Sequence, residues 1–258
     1  MRGGPRLAVC ALGVGLALSL SGAAACGSAP PLVDPGPTIS ATPLTRVAVA
    51  EDADDGGQVV SDKGHLEPAA VDAALAPHRA ALTRCYTQKV GRRTWLGGKV
   101  VLRWAVAADG ALTSVRITES DLGAWPIERC LLDIARQAVF GAPAGGPAEL
   151  TLPFELSVAK PLPVALPPAF AEDAPRAKLI ASQLAKLDGC AKGKVVAPGD
   201  VAVTIYAGPR GRALSVGFAS TTDVDDAWSA CAEKAALGWR LPESKGQVTK
   251  LALRYRPR

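Results

Sequence analysis

Histidine and methionine are nearly missing from this chain, with two and one in 258 residues, and aromatic residues make up only 5%. Scarce histidine removes the commonest general base and metal ligand. Of the two, His65 stands at the edge of a linker. His78 falls beside an apolar helical stripe, where a structural histidine is the simpler reading. Cys and His never occur at zinc-site spacing and there is no CxxC. Gly97-Gly98 and Gly145-Gly146 lack the Lys-Ser/Thr of a phosphate loop. With no convergent catalytic set, the chain is expected not to be an enzyme and to carry neither cofactor nor metal. Beyond Leu20 no apolar run is long enough to cross a bilayer.

The N-terminus carries an export signal. Arg2 and Arg6 form a basic start, Leu7 to Leu20 an apolar run, and Ser21 to Ala25 a stretch of small residues ending at Cys26. Ala23, Ala24 and Ala25 before Cys26 resemble a bacterial lipobox, whose cysteine is diacylated, although the usual leucine is Ala23 here. The alternative is ordinary signal cleavage with Cys26 a spare thiol. Residues 1–26 are therefore read as a lipoprotein signal, with Cys26 as the lipidation site and acyl chains as the membrane anchor. Gly27 after the cysteine, in place of Asp, favours the outer membrane by the usual sorting rule.

Residues 27–65 read as a disordered tether. Prolines 30, 31, 35, 37 and 43 come first, followed by the acidic patch Glu51 to Asp55. That patch lacks the ligand alternation and closing Glu of a calcium loop. From residue 66 onward the chain is patterned, and it repeats. Slid back by 101 positions, Gly199 falls on Gly98, Gly211 on Gly110, Val216 on Val115 and Cys231 on Cys130. Leu251, Leu253 and Tyr255 fall on Leu150, Leu152 and Phe154. We read one domain over 66–160, a Pro-rich linker over 161–173, and a second, divergent copy over 174–258.

Each copy follows the same order. Val71, Leu75, His78, Leu82 and Cys85 recur at helical spacing, with Pro77 either starting or kinking the helix. Val100, Leu102, Trp104 and Val106 alternate as a strand, Asp109-Gly110 predicts a two-residue type I′ turn, and Val115 and Ile117 return. A second helix carries Ile127, Cys130, Leu131 and Ile134, and Leu150 to Leu156 alternate in a closing strand. The expected fold is α+β: two tandem α-β-β-α-β domains, each a three-stranded antiparallel sheet with two helices on one face. With Cys10 removed in the signal and Cys26 lipidated, Cys85, Cys130, Cys190 and Cys231 remain for an oxidising compartment. Three pairings are possible. Equivalent positions in the repeat favour Cys85 with Cys130 and Cys190 with Cys231, the alternative being unbonded buried thiols.

Cys85-Tyr86, Gly98, Trp104, Asp109-Gly110, Cys130, Phe140 and Pro153-Phe154 together resemble the AgmX/PglI C-terminal domain of myxobacterial envelope proteins, itself similar to the C-terminal domain of TonB. The likeness covers 66–158, and more weakly 174–257, where Trp239, Leu241 and Pro242 keep one motif but Ala191 replaces the tyrosine. It implies a periplasmic interaction module that accepts a peptide strand along a free sheet edge.

Two kinds of contact follow as expectations. Closing strands are edge candidates, through Leu152 and Phe154 in the first copy and Leu251, Leu253 and Tyr255 in the second. Pro153 fits an edge and blunts it; the second copy has no such proline, so Leu253→Pro is expected to abolish partner binding there. Lys89, Arg92 and Arg93, with Lys192 and Lys194 in the equivalent loop, form basic loops in a chain of net charge +5. The favoured reading is a lipid-anchored scaffold on the periplasmic side of the envelope, binding other envelope proteins. The alternative is a binding protein for an anionic polymer such as polysaccharide or peptidoglycan, through the basic loops. Nucleic acid is not expected as a partner.

Overall fold

The computed structural model describes residues 38–41, 64–159, 161–164, 174–193, 195–243 and 246–257. Cys26 and the signal, most of the tether, Lys194 and the linker residues 165–173 lie outside them. Pro35–Arg258 forms one compact unit.

The chain runs β1 (Thr38–Ala41), α1 (Pro68–Leu75), α2 (Arg79–Val90), β2 (Gly98–Val106), β3 (Leu112–Ser120), α3 (Trp125–Ala135), β4 (Ala148–Ser157), α4 (Ala174–Leu184), β5 (Val201–Ala207), β6 (Ala213–Ser220), α5 (Asp226–Leu237) and β7 (Thr249–Tyr255). The fold is α+β, with two antiparallel sheets ordered β1-β4-β2-β3 and β6-β5-β7. Pro77 resolves as a kink: a 3-10 turn at Ala76–His78 separates α1 from α2, because proline cannot continue the i→i−4 ladder. The first sheet has four strands where three were expected. The fourth, β1, comes from within the tether and pairs antiparallel with β4, Thr38 opposite Ser157 and Ala41 opposite Phe154.

The two ladders share one register. Val101 pairs with Pro153 and Ala202 with Arg254, and Leu102 with Leu152 as Val203 with Leu253. The hairpins match too, but they are not the two-residue turn expected. Gly110 N–H donates to Ala107 O at 2.9 Å and Ala107 N–H to Ala111 O at 2.8 Å; Gly211 and Gly208 repeat this at 2.9 and 2.8 Å. This is a three-residue loop closed by a positive-φ glycine, at +89° in Gly110 and +66° in Gly211. A side chain at residue 211 would also place its Cβ 2.0 Å from the carbonyl oxygen of Leu241. Gly211→Ala is therefore expected to destabilise by about 2 kcal/mol or more, read as a lowered urea midpoint.

Both bridges are closed. Cys85–Cys130 ties α2 to α3, and Cys190–Cys231 ties the 3-10 turns after α4 (Ala185–Cys190) to α5. Helix α5 starts where Asp225 accepts the N–H groups of Ala227 and Trp228 at 2.7 and 3.0 Å, an N-cap that places its carboxylate against the helix dipole.

The second sheet is covered on both faces. Val203 and Ile205 are buried and alternate with Thr204 and Tyr206. The Thr204 hydroxyl donates to Ser120 O at 3.0 Å and the Tyr206 hydroxyl to Gly97 O at 3.0 Å. Ser215 Oγ donates to Gly123 O at 2.7 Å. The face of β5 and β6 that carries these hydroxyls is thus seated on the first half.

Candidate functional site

The candidate contact residues separate into side chains and backbone. Leu152, Phe154, Leu251 and Tyr255 are buried, so these side chains belong to the core and not to a contact surface. The reason is the pleat: alternate residues of β4 and β7 point under the helices, leaving the intervening ones outside. Leu253 is half-buried. What an edge offers a partner is its outward N–H and C=O groups.

Pro153 shows which groups those are. It stands inside an unbroken β2–β4 ladder, so its nitrogen, which has no hydrogen, must face away from β2. Outward groups on β4 therefore alternate through residues 153, 155 and 157. Strand β1 uses this side: Ser40 lies opposite Glu155 and Thr38 opposite Ser157, and pairing ends at Ala41–Phe154, one step short of the proline. The outer side of β4 is therefore not open, because the chain's own segment lies along it.

By the shared register, the outward positions of β7 are Lys250, Ala252 and Arg254. No strand pairs with that side among the described residues, and β7 contains no proline. Leu253 is of the other parity, with its N–H directed at β5. Leu253→Pro would break the sheet itself and is the wrong substitution for blocking the edge. Lys250 is engaged inward, with Nζ 3.1 Å from Asp121 Oδ2 and 3.2 Å from Gly97 O. Ala252 and Arg254 are exposed. Beside this end of β7 lies an open groove of about 420 Å³, floored by Ala181, Leu184 and Ala185 and rimmed by Asp188, Arg254 and Arg256. Arg254 and Arg256 both approach Asp200, at 2.9 and 3.7 Å. Their guanidinium charges hold that carboxyl below its ordinary range, the hydrogen bond from Arg254 being the main cause.

The basic loops are less uniform than their sequence. Lys89, Arg92 and Lys192 are exposed. Arg93 is half-buried and turned back onto its own helix end, donating to Val90 O at 3.2 Å and to Lys89 O. That places it as a C-terminal helix cap. His65 forms a two-way backbone bridge with Ala144, and His78 lies half-buried in the helix kink. Among the described residues no cluster of three His, Cys, Asp or Glu is arranged to hold a metal, and no helix is long and apolar enough to cross a membrane.

Sequence reasoning missed Glu128. Its side chain on α3 is fully buried, at 0% exposure. It takes the Ser120 hydroxyl at 2.7 Å and the backbone N–H of Phe218 at 2.9 Å. Phe218 lies on β6, so one carboxyl bonds both halves of the molecule and fills the outward donor of β6. A charged residue within an apolar helical pattern reads as solvated, and only a strand 90 positions away buries it.

No family model, curated protein or solved structure matches this chain.

Proposed function

We propose that the chain is a non-catalytic adaptor of the bacterial envelope, anchored by lipid on Cys26 and facing the periplasm. It is built from two tandem α-β-β-α-β modules of the AgmX/PglI and TonB C-terminal type. In this reading it holds an envelope protein by taking an extended segment of it as an added strand along β7.

The contrast between the two closing strands carries this reading. Strand β4 already has β1 on its outer side and a proline that stops further pairing. Among the described residues, strand β7 keeps the same register with neither feature. An open edge at the strand equivalent to one that the chain covers supports a binding surface there. The α3 contact through Glu128 and Phe218 fills an outward donor of β6, which favours β7 over β6 for strand addition.

The test is co-purification of partners with the tagged chain. Arg254→Pro removes one outward donor at the position where the first module tolerates proline. Arg254→Ala removes only the exposed guanidinium. Binding is expected to fall at least tenfold with the proline and to change less than threefold with the alanine. Raising salt from 0.05 to 0.5 M should leave strand addition largely intact. Contact of an anionic polymer with Lys89, Arg92 and Lys192 would weaken steeply. Equal binding by both variants with strong salt dependence would reject the strand-addition reading in favour of the polymer.

A further inference from the structure

The group with the least accounted-for chemistry is the buried carboxyl of Glu128. Helix α3 opens at Trp125-Pro126 after Ala124, which supplies no side-chain cap. Glu128 in the first turn therefore sits near the amides of Gly123 and Ala124, both of which bear on its carboxyl. Opposite stands Gly217 of β6, where a Cβ would lie 2.3 and 2.4 Å from the two carboxyl oxygens. Glycine at 217 is thus what allows the carboxyl to reach the Phe218 amide.

Among the described residues no cation accompanies it. On α3, Arg129 is directed to Asp226 at 3.8 Å. On β3, Arg116 donates to Thr221 O at 2.9 Å and lies 3.8 Å from Asp223. Asp121, after β3, is paired with Lys250 of β7. On β5 the Tyr206 phenol is committed to Gly97 O, and burial, with the Glu128 and Asp121 charges adding to it, pushes its pKa up. On α5, Glu233 is shifted upward by burial. None of these groups forms an ion pair with Glu128.

We propose that Glu128 is a proton-operated latch between the two halves: neutral, it holds β6 against α3, and ionised, it loosens that joint. In the neutral form the carboxylic acid shares the 2.7 Å hydrogen bond with the Ser120 hydroxyl while its other oxygen accepts the Phe218 N–H. Ser120 Oγ also accepts Leu122 N–H at 3.2 Å, so the joint ties the loop after β3 to α3 and β6. Ionisation leaves a full charge beside the packed Trp125 and Phe218 rings, 5.5 Å apart, without a counterion.

Burial raises the Glu128 carboxyl to about 7, against the pull of its hydrogen bonds from Ser120, Phe218, Ala124 and Gly123. A carboxyl raised on folding stabilises fully below its unfolded value, near 4.5, and that stabilisation is lost as pH climbs through about 7. The folded-to-unfolded ratio should therefore fall on the order of a hundredfold across this window.

The experiment is NMR on the full chain with ¹³C-labelled glutamate, following the Glu128 carboxyl from pH 4 to 9 alongside hydrogen exchange at the Phe218 amide. A midpoint between 6 and 8, with Phe218 protection falling at least tenfold across it, is expected. Glu128→Gln, which keeps an acceptor for Phe218 and a donor for Ser120, should hold that protection constant with pH. A Glu128 midpoint in the ordinary glutamate range would overturn the latch, as would Phe218 protection indifferent to the titration. The carboxyl titration decides the matter in the natural chain even if the glutamine variant fails to fold.

Discussion

Replacing Cys85 and Cys130 together by alanine should lower stability by about 4 kcal/mol. The bridge joins residues 45 positions apart, and the loop it closes contains β2, β3 and the turn between them. Without it the unfolded chain regains the loop-closure freedom of that whole segment, while the folded state loses little, since α2 and α3 also pack through Leu82, Tyr86, Ile127 and Leu131. The Tyr86 hydroxyl further pins α2 to the strand entrance through Leu96 O at 2.6 Å, and its burial pushes the phenol up to about 12, so it remains a donor at neutral pH. The second bridge spans 41 positions and should contribute a similar amount. Urea unfolding of the oxidised chain, the double variant and the reduced chain measures this. A loss below about 1 kcal/mol would mean that the unfolded chain is already held compact by other contacts.

The second large effect is expected at Trp228. Trp125, Phe218, Trp228 and Tyr255 form a row of rings at 5.5, 5.6 and 5.8 Å between successive centroids. The row begins on α3 in the first half, crosses β6 and α5, and ends on β7 beside the candidate edge. Trp228 lies within it at 0% exposure. Trp228→Ala should destabilise by about 3–5 kcal/mol, combining lost apolar burial, a cavity and two ring contacts. Trp228→Phe should cost about half as much or less, because a ring remains between Phe218 and Tyr255 and the unpartnered indole N–H is removed. Thermal unfolding followed by near-ultraviolet circular dichroism reads both the loss and any loosening of the row. Because Tyr255 closes the row on β7, partner binding by the alanine variant should weaken as well.

Most elements are legible as periodicity. Val100 to Val106 and Leu150 to Leu156 carry alternating apolar residues that are buried; Ile127, Leu131 and Ala135 recur at helical spacing and are buried. Register between the halves is legible because the two ladders are equally long where they matter and carry their core side chains at matching positions. Some matches are compensated and not identical. Trp104 corresponds to Ile205 and Ala138 to Trp239, so each half buries one tryptophan at these two places but at opposite ones.

What stays hidden is set by distant partners. Strand β1 spans four residues between Pro37 and Pro43, too short for alternation to register, and it is a strand only because β4 offers its outer side. The hairpin type is hidden because Asp109-Gly110 reads equally as a two-residue turn; Pro209, which suits the first corner of a type I turn, is the signal that could have revealed it. The joint between the halves rests on hydroxyls of Thr204, Tyr206 and Ser215, residue types that fit an exposed strand face as readily as a buried one.

Strand addition at β7 is tested most directly by photocrosslinking in intact cells from three single positions: Ala252 on β7, Arg92 in the first basic loop, and Leu237 at the end of α5. Ala252 alone is expected to crosslink one segment of an envelope protein, mapped to a single extended peptide, and Arg254→Pro to abolish the product. Crosslinking to polysaccharide from Arg92, with none from Ala252, would contradict strand addition.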